Sequence, residues 1–230
     1  MTVSALGDRP LPFAPINHKS VQDKVYEQIT EVMMRGGFEP GQKVSSRKLA
    51  AQMSTSDMPV RLALGRLLAE GGLVQHANGT FSVPLISRTK FEEVMTLRAL
   101  LEGRATHDAA PVITAKAIKE LRIHGRGLEA AIEQNDIQAY LDYNQRLKFT
   151  IYSYCPSETL QQHIKLLWLV AAPFLRHLNK GLDQMTQANF HNEAIGALSQ
   201  KRGREAGESI SRDILAGMNY LLANAKFADD

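Results

Sequence analysis

The stretch from Thr89 to Phe227 constrains the fold more than any other part of the sequence. Apolar residues recur there at helical spacing, and strand-like alternation is nearly absent. Single prolines, glycines and one Asn-Asp pair interrupt the pattern at intervals. The intervals predict helices at about 88–110, 114–134, 136–154, 157–179, 183–201 and 203–226. Consecutive helices of this kind bury their apolar faces against one another, so the sequence predicts a mainly α protein with an all-helical bundle of about six helices.

The segment before this bundle has a different pattern. Ser20 is placed to cap a first helix that ends at Gly36-Gly37. A second helix is predicted from Ser46 to Met53, and a third begins near Asp57 with Pro59 in its first turn. Two short strands are predicted at 73–75 and 80–83, with a turn between them. Three short helices followed by a hairpin are typical of a winged helix-turn-helix domain.

The predicted domain organisation has three parts: a flexible Pro-rich arm at 1–19, the winged domain at 20–86 and the helical domain at 87–230. The arm lacks a continuous apolar core, so it is not predicted to be a signal peptide. The longest apolar run, Leu166 to Leu175, is about half the length needed to cross a bilayer. Cys155 is the only cysteine, which excludes an internal disulfide and a four-thiolate zinc site. These features favour a cytoplasmic protein without a membrane partner.

The winged domain predicts a surface that binds double-stranded DNA. Free N–H groups at the start of the third helix suit a phosphate or a groove edge, and the slim hairpin loop suits the minor groove. The formal net charge is only +3, so the prediction depends on local cations. The predicted DNA-binding residues are Arg47, Lys48, Ser56, Asp57, Met58, Arg61, Asn78, Gly79 and Thr80. The alternative is that the three basic residues are solvated charges on an interaction module.

Four segments of the winged domain resemble the GntR superfamily of bacterial transcription regulators: Gly37–Val44, Ser46–Ala50, Pro59–Arg61 and Leu67–Val74. In that family an arginine usually stands at the position of Asp57. A carboxylate repels phosphate but accepts a hydrogen bond from a cytosine amine. The resemblance therefore implies an altered operator sequence or weaker binding, with Arg47 and Arg61 at the family's contact positions.

The helical part resembles the FCD domain, the ligand-sensing bundle of the fatty-acid regulator's subfamily. The resemblance is carried by Met95, Arg98, Leu101 and Glu102 and by the number of helices. It implies a divalent metal held by an Asp or Asn and three His. The aligned residues here are Asn144, Lys148, His191 and Asp213. A protonated lysine only donates hydrogen bonds and cannot ligate a metal.

The altered ligand set predicts that Lys148 occupies the place of the metal, with Asp213 as its counter-ion. Asn144 and His191 complete the network, and no cofactor (Zn, Mn or Ni) is expected. Together with Arg98, these residues are predicted to bind a small anionic effector such as an organic acid. Three alternatives stay open: Lys148 and Asp213 are solvated, His191 is an ordinary core histidine, or the protein is a sensor that retains a metal.

The resemblance implies a homodimeric regulator, by family habit a repressor, that binds a palindromic DNA operator and is controlled by its effector. An enzyme is not expected, because the sequence has no nucleophile motif, no phosphate-binding loop and no Glu-x-x-His pair. Two other classes remain as alternatives: a helical-bundle metalloenzyme and an adaptor that binds DNA without sequence specificity.

Overall fold

The computed structural model describes residues 20–180 and 189–229. The predicted arm at 1–19 lies outside these residues. The N-terminal helices are α1 (Val21–Met34), α2 (Ser46–Gln52) and α3 (Asp57–Ala69), and the strands are β1 (Lys43–Val44), β2 (Val74–Gln75) and β3 (Phe81–Ser82). The predicted winged helix-turn-helix fold is confirmed.

The strands form an antiparallel sheet in the order β1–β3–β2. Ser82 of β3 pairs with Lys43 on one side and with Val74 on the other. The sequence did not predict β1, because two residues carry too little alternation to indicate a strand. The pairing with β3 creates this strand, and it attaches the base of the wing to the segment that leads into α2.

The rest of the described chain is helical, as predicted. Its helices are α4 (Arg88–Ala109), α5 (Ala115–Glu133), α6 (Ile137–Tyr152), α7 (Glu158–Leu175), α8 (Phe190–Ser199) and α9 (Gly203–Asn224), with a short 3-10 helix at Arg176–Lys180. The helix predicted at 183–201 is observed from Phe190, and residues 181–188 lie outside the described part. None of the described helices is both long and apolar enough to span a bilayer.

Most bundle helices begin at a polar side chain that accepts a hydrogen bond from a free N–H group of the first turn. The capping residues of α4 to α8 are Ser87, Thr114, Asp136, Ser157 and Asn189. Asp136, for example, accepts from the Ala139 N–H at 3.0 Å. Such a cap satisfies a backbone donor that the helix itself leaves unpaired. The helices α4 to α7 begin within one residue of their predicted starts, and each of them has such a cap.

The winged domain packs directly on the bundle through the end of α1. The Arg35 guanidinium lies 3.0 Å from the Asp142 carboxylate of α6. The Gly36 carbonyl accepts a hydrogen bond of 2.9 Å from Arg176. Gly36 has a positive φ of 65°, and a methyl group on it would lie 2.9 Å from Leu141 of α6. The two domains thus meet at a close, partly polar contact between α1 and α6.

Helices α4 and α9 approach each other closely along a row of small residues. A methyl group on Gly207 would lie 2.5 Å from the Gly103 carbonyl oxygen. One turn further, the Ser211 hydroxyl donates a hydrogen bond of 2.7 Å to the Ala99 carbonyl. Backbone-to-backbone packing at this distance leaves no room for a larger side chain. The first and last helices of the bundle are therefore held together at glycine positions.

We expect Gly207→Ala to destabilise the protein by roughly 1–3 kcal/mol, because the added methyl group forces α4 and α9 apart. Urea unfolding followed by far-UV circular dichroism measures this loss. Gly196→Ala in α8 is the matched control, since a methyl group there meets no atom within 4 Å. The control is expected to be neutral or slightly stabilising. A Gly207→Ala variant as stable as the control would contradict the proposed contact.

Candidate functional site

Helix α3 has one face in the protein core and one face in water. Its inner residues Val60, Ala63, Leu64 and Leu67 are completely buried. The opposite face, called here the α3 face, consists of Met58, Arg61, Leu62 and Gly65, all exposed. Two of the predicted DNA-binding residues, Met58 and Arg61, therefore lie side by side where an external partner can reach them.

Three predicted cations lie on α2 and α3, two helices that pack against each other. Arg47 and Lys48 lie in the first turn of α2 and Arg61 lies on α3, and all three side chains are exposed. Within residues 20–180 and 189–229, none of the three pairs with a carboxylate. A group of unpaired cations beside a helix N-terminus attracts a polyanion.

Arg66 lies further along α3 and has a different environment. Its Nε is 3.0 Å from the Glu70 carboxylate, and its guanidinium stacks 3.7 Å above the centre of the Tyr26 ring. The Tyr26 hydroxyl donates to Glu70 at 2.6 Å and accepts from Lys165 of α7 at 2.9 Å. This network raises the pKa of Arg66, because Glu70 and Tyr26 outweigh the opposing effect of burial. Arg66 thus belongs to the contact between α3 and α1, and Tyr26 connects this contact to Lys165 of the bundle.

The start of α3 contains two polar side chains without an internal partner. Ser56 is the N-cap residue, but its side chain makes no capping hydrogen bond. Asp57 follows in the first turn, and its Oδ1 is buried without a hydrogen-bond partner among the described atoms. Ser56 is exposed, so its hydroxyl is accessible to a ligand, whereas Asp57 is only partly exposed and its Oδ1 is shielded from solvent.

The loop of the wing is held by its own polar groups. The Asn78 side chain accepts hydrogen bonds from the Thr80 N–H at 3.1 Å and from the Thr80 hydroxyl at 2.6 Å. Gly79 between them has a positive φ of 78°, which favours glycine. The predicted residues Asn78, Gly79 and Thr80 therefore form one tight, exposed turn.

The four residues predicted inside the bundle converge at one point. Lys148 of α6 lies 2.6 Å from the Asp213 carboxylate of α9, and the two side chains are 2% and 11% exposed. The alternative that both residues are solvated is therefore wrong. An ion pair this deep in the protein is stable only because each charge compensates the other.

His191 and Asn144 complete this cluster, which we call the polar cluster. His191 Nε2 lies 3.3 Å from Asn144 Oδ1 and 3.5 Å from Asp213 Oδ2. Both neighbours are acceptors, so this geometry suits a neutral imidazole with its proton on Nε2. His191 therefore contacts two of the other predicted polar side chains.

The charges of the cluster shift its pKa values. Burial, reinforced by the Lys148 charge, lowers the pKa of His191 although Asp213 opposes the shift. Burial alone would raise the pKa of Asp213, but the positive charges of His191, Lys148 and Arg98 together hold it below its ordinary value. Because His191 is neutral near pH 7, the lysine ammonium dominates this effect at that pH.

A second buried ion pair lies beside the polar cluster. Arg98 Nε is 2.6 Å from the Glu102 carboxylate one helical turn away, and both side chains are almost completely buried. The Tyr152 hydroxyl donates to the same carboxylate, and the Arg98 guanidinium lies 4.3 Å from the Trp168 ring centre. Arg98 is therefore buried where predicted, but a carboxylate of the protein already faces it.

Sequence reasoning did not include Glu102, Tyr152 or Trp168 in the site. The spacing of Arg98 and Glu102, four residues apart on a helix, is a signal for an ion pair. No such signal exists for Tyr152 and Trp168, since both approach Arg98 only through the packing of α6 and α7. Burial and the negative charge of Glu102 raise the pKa of Tyr152, so its hydroxyl stays a donor.

Comparison with known families matches both domains. The FCD domain profile matches residues 93–217. The profile of bacterial regulatory proteins of the gntR family matches residues 21–83. The chain belongs to the FCD group of the gntR family. It is therefore a transcriptional regulator with a DNA-binding helix-turn-helix domain, and the prediction that it is not an enzyme is confirmed.

Curated relatives of this GntR regulator are also transcriptional regulators. The HTH-type transcriptional regulator McbR of Escherichia coli strain K12 is 26% identical over 168 residues, which are 73% of this chain and 76% of McbR. The Nta operon transcriptional regulator of Aminobacter aminovorans is 36% identical over 85 residues, or 37% of this chain and 40% of that protein.

Solved structures of the same family show the same fold. E. coli McbR/YncC superposes with a TM-score of 0.82 at 23% identity and covers 89% of this chain and 98% of its own. A GntR protein from Rhodococcus sp. RHA1 superposes with a TM-score of 0.71 at 15% identity, covering 89% of this chain and 99% of its own. These likenesses support the winged domain followed by the FCD bundle.

The lowered pKa of His191 predicts acid sensitivity. The unfolded chain takes up a proton at His191 as the pH falls through about 6.5, whereas the folded protein does so only at lower pH. The free energy of unfolding is therefore expected to fall as the pH decreases below that value, and His191→Gln is expected to flatten this dependence. Urea titrations between about pH 8 and pH 5 measure it.

His163→Gln on the exposed surface of α7 is the control for this substitution, and it is expected to keep the wild-type pH dependence. Protonation of Asp213 lowers the stability further only in stronger acid, because its pKa in the folded state is lower than in the unfolded chain. A His191→Gln variant with the full wild-type slope would show that another group causes the dependence.

Proposed function

We propose that this GntR regulator acts in the cytoplasm as a homodimeric repressor that binds a palindromic DNA operator. A small anionic effector, such as an organic acid, binds at the polar cluster and releases the operator. The observation that carries the DNA-binding part is the group of exposed, unpaired cations around the N-terminus of α3. Two-fold symmetry of a dimer would impose the same symmetry on its half-sites.

The two arginines of α3 provide a direct test of this orientation. Arg61→Ala is expected to weaken operator binding by about 5- to 150-fold, because Arg61 is free to contact a base or a phosphate. Arg66→Ala also removes one positive charge from α3, but this arginine contacts Glu70 and Tyr26 of the protein itself. We expect it to change operator affinity by less than about threefold. Gel shifts with the upstream region of the protein's own gene measure both.

Equal losses from the two substitutions would contradict the proposed orientation of α3. Equal affinity of the wild type for operator and random DNA at matched salt would favour the alternative of a non-specific adaptor. Repression itself is tested with a promoter reporter, whose expression is expected to rise when the regulator gene is deleted.

The donor set of the polar cluster does not fit a divalent metal. Lys148 Nζ lies at hydrogen-bonding distance from Asp213 Oδ2, and a protonated amine has no lone pair to offer. Within the described ranges, no three His, Cys, Asp or Glu side chains are grouped as a metal site requires. The ammonium group would also repel a cation placed at the centre of the cluster. We therefore assign no metal to this regulator.

An anionic effector is supported by an excess of hydrogen-bond donors in the bundle. Lys148 has three N–H donors, and Asp213 is its only acceptor among the residues described. The buried Trp168 Nε1 has no acceptor there either. Arg98 gives two N–H groups to Glu102 and one to the weakly accepting Met95 sulfur. A ligand rich in acceptors, such as a carboxylate, would satisfy these donors.

The position of α6 supports a route from the effector to the DNA-binding domain. Asn144 and Lys148 of this helix belong to the polar cluster. Asp142 of the same helix contacts Arg35 at the end of α1. A ligand that moves α6 would therefore change the position of the winged domain relative to the bundle. It can do so only if it binds the two arrangements of the domains with different affinity.

Effector binding predicts a thermal shift that depends on Lys148. A carboxylate ligand at 100 times its Kd is expected to raise Tm by about 5–10 °C. The only tryptophan, Trp168, lies beside Arg98 and provides a fluorescence signal for the same titration. Lys148→Met combined with Asp213→Leu removes both charges, keeps the cluster neutral and is expected to abolish both responses. The exposed Lys119→Met on α5 is the control.

Metal analysis of the purified wild type accompanies this screen. We expect no tightly held Zn, Mn or Ni at one atom per chain, and a stoichiometric metal would refute the proposed role of Lys148. If an organic acid raises the Tm of the wild type and of the double variant equally, the effector binds outside the polar cluster.

A further inference from the structure

Two large apolar side chains on the α3 face are exposed. Met58 is 64% exposed and Leu62 is 49% exposed. They lie four residues apart, so they are neighbours on the same side of the helix. Together they form an apolar ridge of two residues near the N-terminus of α3.

The protein core does not account for this ridge. The inner face of α3 already places four apolar side chains in the core with no exposed area, namely Val60, Ala63, Leu64 and Leu67. Met58 and Leu62 point away from that core, and leaving them in water is unfavourable. Serine or lysine at these positions would serve the fold equally well. The ridge therefore indicates a partner that removes it from water.

The surroundings of the ridge identify the chemistry of this partner. Arg61 lies between the two apolar residues, and the unpaired Arg47 and Lys48 lie on the neighbouring helix α2. Gly65 follows one turn later, and a side chain there would meet no protein atom within 4 Å. The partner is thus negatively charged, approaches the helix backbone closely and has small apolar groups on its surface. The DNA major groove combines these properties, because each thymine presents a 5-methyl group there.

We propose that Met58 and Leu62 contact thymine 5-methyl groups in the major groove and thereby make thymine a preferred base of the operator half-site. This inference rests on the proposed DNA-binding function and adds a specificity determinant to it. Arg61, between the two residues, contacts the same stretch of the groove. The ridge supplies discrimination by apolar contact, and the cations supply most of the affinity.

Deoxyuridine substitution tests this contact, because it removes the 5-methyl group and leaves base pairing intact. The full-length protein first selects its operator from a random duplex pool. Each thymine of the selected half-site is then replaced by deoxyuridine, one at a time. At one or two positions the affinity of the wild type is expected to fall about three- to fivefold, as expected for the loss of one buried methyl group.

Met58→Ser is the decisive variant, and it is expected to fold because Met58 is exposed. It should bind thymine and deoxyuridine at the contacted position with equal affinity. Leu62→Ser should do the same at a neighbouring position. Ile123→Ser removes an exposed apolar side chain from α5, 56% exposed, and is expected to keep the wild-type discrimination. Melting curves of all three variants check that they are folded.

The other possible outcomes distinguish a failure of the thymine contact from a failure of the proposed DNA-binding function. Tight operator binding that no deoxyuridine affects overturns the thymine contact and leaves the DNA-binding function intact. Absence of any DNA binding at low ionic strength overturns both. Unchanged thymine discrimination in Met58→Ser, with an altered association state in sedimentation, assigns the ridge to a protein contact and overturns the inference.

Discussion

An ammonium group that is removed from water needs a carboxylate beside it, and this requirement organises the helical domain. Lys148 meets the requirement through Asp213, which lies on the last helix. The pair can form only if α9 packs tightly into the bundle, and the glycine contact between Gly103 and Gly207 allows that packing. Loss of either feature would leave a buried charge without its partner. The polar centre and the backbone packing are therefore mutually dependent.

The same requirement is the basis of our proposal that the polar cluster holds no metal. A histidine at position 148 would offer a lone pair to a cation, whereas the lysine brings a positive charge of its own. The neutral His191 and the amide of Asn144 then serve as hydrogen-bonding groups around the ion pair. Because α6 also contacts α1 through Asp142, the polar centre and the winged domain share one rigid element. This connection is the structural basis of the proposed coupling between an effector in the bundle and the DNA-binding domain.

The two arginines of α3, Arg61 and Arg66, have different environments. Arg66 stacks on Tyr26 and pairs with Glu70, so it holds the helix against α1 and, through Lys165, against α7. Arg61 points away from these contacts and stays unpaired. Both are arginines on the same helix, and the spacing of Arg66 and Glu70 is the one local signal that distinguishes them. The difference follows from the direction in which each side chain leaves the helix relative to the bundle.

The sequence by itself determined the winged domain, the starts of most helices to within one residue, and the residues at the altered metal positions. These features depend on local signals: caps such as Asp136, breaks such as Gly36-Gly37, and apolar spacing along one helix. The tertiary structure alone decided that β1 exists, that Trp168 lies against the Arg98 guanidinium, and that Arg66 stacks on Tyr26. Each of these depends on residues distant in the chain, and a local pattern holds no information about which distant side chain the packing of helices brings near.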